Sequence, residues 1–182
     1  VYIERRGRLE QANIAFVDTG SMTAGTSANR TSGGIMTSAT VDISTDWITN
    51  DGGAYDGKTG IDSYGYQTYI HEIGHALGLG HAGMYNNTAE YADDALYLND
   101  SWPTTVMSYF GQTENSYFQG QGFTQNYVNT PMLADIRAMA TLYGLSTTTR
   151  VEDTVYGFGN NSGRVEYDAS VGAPRVGYTI FD

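Results

Sequence analysis

The three histidines of the chain fall within eleven residues, His71, His75 and His81 of the stretch HEIGHALGLGH. His71 and His75 stand four apart, so on a helix their imidazoles lie one above the other and can converge on one ion. Zinc takes imidazole nitrogens at ~2.0–2.1 Å in roughly tetrahedral directions, which two histidines one turn apart can supply. His81 cannot complete the set from the same straight helix, because ten residues would carry it ~15 Å along the axis. The chain must turn back, and Gly78 is placed where a left-handed residue permits the reversal. Glu72, beside His71, can face the open position of the metal without binding it. There it suits a general base that takes a proton from the metal's water and passes it to a leaving amine. Three neutral ligands leave zinc its full charge, which favours acidifying that water. A structural zinc site is the rival, but such sites are mostly cysteine-rich and closed by four ligands. This chain has no cysteine.

Composition narrows the classes further. The 182 residues suit one domain, and 40% of them are hydrophobic, enough for an apolar core. Twenty acidic residues against nine basic ones give a net charge of −11. That balance argues against nucleic-acid and anionic-membrane partners, which need a basic face, and it suits calcium, a hard cation that prefers oxygen ligands. No apolar run approaches the ~20 residues of a membrane span. Residues 1–11 are charged, unlike a signal peptide.

Several elements must position the histidines. Residues 12–60 are rich in Gly, Ser, Thr and Asn, with β-prone stretches at 14–18, 35–36 and 41–43. Residues 1–11, with Arg5, Arg6 and Arg8, read as the end of a helix that continues upstream. A strong helix is expected over 64–79, with Ile70, Ile73, Ala76 and Leu77 as its apolar stripe. Residues 82–131 read as loop and turn. A second helix is expected over 131–145, with Leu133, Ile136, Ala140 and Tyr143 on one face and Gly144 as its stop. Residues 146–182 again read as β-structure.

The extended pattern HExxHxxGxxH resembles the signature of the metzincin proteases. Metzincins carry a methionine turn beneath the metal, and Thr105-Val106-Met107-Ser108-Tyr109-Phe110 looks like that turn, with Met107 as its methionine. The stretches Tyr91-Ala92-Asp93, Pro131-Met132-Leu133-Ala134-Asp135-Ile136 and Asp153-Thr154-Val155-Tyr156-Gly157-Phe158 are similar to the serralysins, a group of secreted bacterial metalloproteases. The similarity runs from residue 64 to 182 and is weak over 1–60. It implies that Tyr109, two residues after the turn methionine, approaches zinc as an additional ligand. Two departures stand out: Ala82 where serralysins usually have proline, and Met84 where they have an acidic residue. Neither position binds metal.

The resemblance implies an α+β metzincin-type catalytic domain over 1–146, with a twisted mixed sheet, zinc helix, Met-turn and C-terminal helix. Residues 147–182 then begin the connection to a calcium-binding β-roll outside this chain. In serralysins a calcium site joins the two parts. Its counterparts here are main-chain oxygens of Arg150, Glu152 and Thr154, together with Asp182, with Glu152 standing where the family has glycine. The expected function is a secreted, monomeric, zinc-dependent endopeptidase acting on proteins or peptides and open to a proteinaceous inhibitor. Glu72 is its base, and residues 33–45 provide the edge strand on which substrate lies. The alternative is an inactive binding module of the same fold that keeps its zinc.

Overall fold

Ala39, Val41 and Ile43 alternate with polar residues, the period of two that buries one face of a strand. The computed structural model describes residues 13–50, 54–170 and 175–182; the helix end expected at 1–11 lies outside them. Strand β3, Met36–Ile43, is the middle of a three-stranded mixed sheet. Strand β1, Ile14–Val17, runs parallel to it with Phe16 opposite Val41, and β2, Ala24–Arg30, runs antiparallel with Ser27 opposite Thr40. Buried Met36 breaks the alternation for a visible reason. The register shifts between Asn29 and Arg30, whose partners are Ser38 and Met36, so Thr37 is an extra residue at a bulge.

The short stretches expected at 35–36 and 41–43 are therefore one strand, and β2 was not foreseen. The expectation that residues 33–45 form the edge is corrected: β3 is central, and β2 is an outer strand among the described residues. Which atoms β2 leaves free follows from its pairing. Ser44 N donates to Thr23 O at 3.1 Å, and Ala39 N donates away from β2 to Asn13 O at 2.8 Å. By alternation, Gly25, Ser27 and Asn29 bond to β3, while the N–H and C=O of Ala24, Thr26 and Ala28 point out from the sheet.

After helix α1, Thr45–Thr49, the main helix α2 spans Tyr64–Leu77. Ser63 caps it, accepting from Tyr66 N, and Gly78 ends it in the left-handed conformation at φ 109°. One apolar stripe was expected on α2, but the helix lies between two cores. On one side Ala76 and Leu77 pack with Ile14, Val41, Ile43 and Trp47. On the other, Tyr64 and Ile70 pack against Trp102, Val106, Met107 and Val128. Burial on both sides encloses the polar residues Gln67, Thr68 and Glu72 as well. Each then needs an internal partner: Gln67 Oε1 accepts Val128 N at 2.7 Å, and Thr68 Oγ1 donates to Tyr64 O at 3.0 Å.

The long segment after α2 is mostly irregular, with short helices α3 (Tyr91–Asp94) and α4 (Ser116–Gly120). Helix α5 spans Leu133–Tyr143 and ends at Gly144. Leu133, expected on its apolar face, is exposed; Asp135 is buried instead and accepts Met132 N at 2.8 Å, satisfying an orphan donor at the helix start. The β-structure expected over 146–182 is also corrected. Its described residues form isolated bridges, Gly157 with Asp168 and Val128 with Gly177, and one 3-10 turn, Val165–Tyr167. Gly157, Gly159 and Gly163, all at positive φ, break residues 157–163 into turns, which interrupts any ladder there. No described helix is long and apolar enough to cross a membrane.

Candidate metal centre

Among the described residues, His71, His75 and His81 form the only grouping of three or more His, Asp or Glu side chains with ligand atoms mutually within 4.8 Å. Helix α2 presents the first two; Gly78 reverses the chain and brings back the third. His75 Nε2 and His81 Nε2 lie 3.0 Å apart.

The other ring nitrogen of each histidine is engaged by the main chain. His71 Nδ1 lies 2.9 Å from Val106 O, His75 Nδ1 2.9 Å from Leu79 O, and His81 Nδ1 2.9 Å from Tyr85 O. A carbonyl only accepts, so each Nδ1 carries the proton and each Nε2 keeps its lone pair. This is the arrangement that orients an imidazole toward a metal. Burial pushes the His71 imidazolium down to about 4 and lowers His75 and His81 as well. All three are then neutral near pH 7, the form a metal requires. The donor set therefore fits zinc.

The loop that supplies Val106 O is itself anchored. Asp135, at the start of α5, accepts Val106 N at 2.9 Å and also binds the Thr105 hydroxyl. Met107 is 2% exposed and lies against Gly74 so closely that a Cβ there would sit 2.5 Å from its sulfur. Gly74 thus lets the loop approach the helix directly under the histidines. Trp102 Nε1 donates to Ser108 O at 3.0 Å and holds the next residue of the loop.

Glu72 is 6% exposed, yet it borders a cleft of about 1270 Å³ that also takes in the three histidines, Thr26 and Tyr109. Burial raises the pKa of its carboxyl, and the hydroxyl of Thr26 opposes that by donating to Oε2 at 2.8 Å. Tyr109 stands beside the triad, its ring 4.5 Å from that of His81 and 5.9 Å from that of His71. Its hydroxyl is 3.5 Å from Asn86 Oδ1, and burial keeps it protonated.

Several participants escaped the sequence reading. Thr26 belongs to the unforeseen strand. Tyr85 not only supplies the carbonyl for His81 but stacks on that ring at 5.5 Å, with its hydroxyl held by buried Asp100 at 3.0 Å. Arg30 and Tyr143 bind the His75 and Leu77 carbonyls at the end of α2, and the Tyr143 hydroxyl also accepts Met36 N at 3.1 Å. Only Tyr143 carries a spacing signal, and that signal marks it as apolar helix face and not as a hydrogen-bond partner of α2. Of the two departures, Met84 is 92% exposed.

None of the residues suggested for calcium lines the cleft of the triad. The structure brings residue 150 to the end of the chain: the Arg150 guanidinium binds Phe181 O, and the Tyr156 hydroxyl donates to Asp182 Oδ2 at 2.9 Å. Thr154 Oγ1 donates to Glu152 O at 3.3 Å.

Residues 19–114, more than half of the chain, match the family model described as Peptidase M66, and the chain belongs to that family. Among known proteins it is similar to serralysin C of Dickeya chrysanthemi, with 41% identity over 126 residues, 68% of this chain and 25% of that one. It is also similar to the serralysin of Proteus mirabilis, 43% identical over 126 residues, 67% of this chain and 24% of that protein. The metallopeptidase AprA of Pseudomonas marginalis is 32% identical over 184 positions, covering 94% of this chain and 39% of its own length. These matches bear out the expected resemblance to serralysin-type metallopeptidases. The chain spans about a quarter of the length of the serralysins it matches.

Proposed function

We propose that this chain is the peptide-hydrolysing domain of a secreted zinc metalloendopeptidase of metzincin type. The supporting observation is that three histidines, each tied through Nδ1 to a carbonyl, aim Nε2 at one point beside a buried glutamate in an open cleft. A zinc ion held by His71, His75 and His81 would supply a Lewis acid and lower the pKa of a water molecule.

The side chains do the rest. Glu72 takes the proton from the attacking water and delivers it to the departing amine nitrogen. An extended peptide bonds to the outward N–H and C=O groups of Ala24, Thr26 and Ala28, which fixes its scissile bond over the histidines. Tyr109, protonated and next to His81, donates to the oxyanion that develops on the substrate carbonyl, and its hydroxyl would be a further ligand for zinc. Replacing it tests that role. Tyr109→Phe should keep the fold and one zinc per chain while lowering kcat more than it raises KM. A change in KM alone would make Tyr109 a binding residue.

Residues 147–182 are, on this reading, the start of a connection to a further calcium-binding part. The carbonyls of Arg150, Glu152 and Thr154 and the carboxylate of Asp182 offer calcium fewer than the six to eight oxygens it takes. Isothermal titration of this chain with calcium should therefore show weak binding, whereas tight stoichiometric uptake abolished by Asp182→Ala would show a complete site.

A further inference from the structure

We propose that Thr26 is a positioning residue that ties the base Glu72 to the strand on which substrate lies. This rests on the reading of Glu72 as the base. Its support is geometric. Thr26 sits on β2, half-buried, with its side chain toward α2. Its hydroxyl lies 2.8 Å from Glu72 Oε2 and 3.0 Å from Glu72 O. One hydroxyl proton is thus shared between the carboxylate and the main chain of the same residue, which fixes the side chain relative to its own helix turn.

The neighbours on β2 that face the same way cannot do this. Ala24 and Ala28 end in a methyl group, and Arg30 is engaged at the His75 carbonyl. Oε2 receives the Thr26 bond, while Oε1 receives none from it and keeps its full acceptor capacity for the proton of the attacking water. The main chain of Thr26, meanwhile, faces outward from the sheet between those of Ala24 and Ala28. A peptide that bonds to this edge therefore grips the residue whose side chain holds the base. Seating of the substrate strand and alignment of the carboxylate are coupled through one residue, over a single strand width.

Three proteins separate this from a packing role: wild type, Thr26→Val, which keeps the volume and loses the hydroxyl, and Thr26→Ser, which keeps the hydroxyl. For each, kcat and KM are measured on a fluorogenic peptide together with zinc per chain and Tm, and zinc-loaded wild type and Thr26→Val are crystallised. Loss of a hydrogen bond to a charged group should lower kcat of Thr26→Val roughly 10-fold, with KM and zinc content unchanged. Thr26→Ser should recover most of kcat, and the Glu72 carboxylate should leave its wild-type position in the Thr26→Val crystal. The proposal is overturned if Thr26→Val keeps wild-type kcat, if only KM moves, if Thr26→Ser loses as much as Thr26→Val, or if the carboxylate stays in place. Should the wild type cleave no peptide, the peptidase reading falls, and the two crystals still decide whether Thr26 holds Glu72.

Discussion

Replacing Glu72 with glutamine is expected to leave one zinc per chain and the Tm unchanged while kcat falls by ~10²–10⁴, the range of a lost acid–base group. Glutamine is the informative choice because of where the side chain lies. Glu72 is buried and accepts a hydrogen bond from Thr26. A shorter residue would leave a gap and an unpaired hydroxyl, and its effect would mix packing with chemistry. The amide keeps the volume and an acceptor for Thr26 but has no basicity. Turnover near wild type in a zinc-loaded Glu72→Gln protein would rule out Glu72 as the base.

His75→Ala should have the second large effect, removing zinc and activity together. His75 has two roles: its Nε2 lone pair faces the metal position 3.0 Å from that of His81, and its Nδ1 donates to Leu79 O. The substitution deletes a ligand and also frees the loop that returns His81 to the helix. Two readouts check it. Elemental analysis should give about one zinc per wild-type chain and almost none in the variant. Added zinc should raise the wild-type Tm, since a ligand at about 100-fold excess over its Kd stabilises by about 2.7 kcal/mol, and should leave the variant unmoved. Stoichiometric zinc in His75→Ala would overturn the assignment of the ligands.

The parts of the fold that were legible in the sequence are those written in local chemistry. The active-site helix shows its period of 3.6, and both helix stops carry glycine, Gly78 at φ 109° and Gly144 at φ 83°. The histidine grouping was legible because a ligand set has to use particular residue types at particular spacings. The edge strand was not, because Ala24-Gly25-Thr26-Ser27-Ala28-Asn29-Arg30 has almost no intrinsic strand preference. It is a strand because β3 offers it a ladder and α2 covers its inner face, so the pairing is decided outside the segment. The same holds for Leu133: the periodicity of α5 marks it apolar, but the first turn of that helix is oriented by Asp135 reaching the Thr105–Val106 loop, which turns Leu133 outward. Residues 146–182 misled in the opposite way. Their Val, Tyr and Thr residues suggest strands, yet single bridges are all that form among those described.

The three carbonyls behind the histidines have a consequence for what the sequence is free to change. Those of Val106, Leu79 and Tyr85 belong to peptide units that every amino acid possesses. The outer support of the triad is thus encoded in the path of the chain and not in any side-chain identity at those three positions. Grafting HEIGHALGLGH onto another helix would transfer the ligands without transferring two of their three orienting acceptors, since Val106 and Tyr85 lie outside it. The portable unit is larger: the helix, its glycine reversal, and the loop that Asp135 and Trp102 hold beneath it.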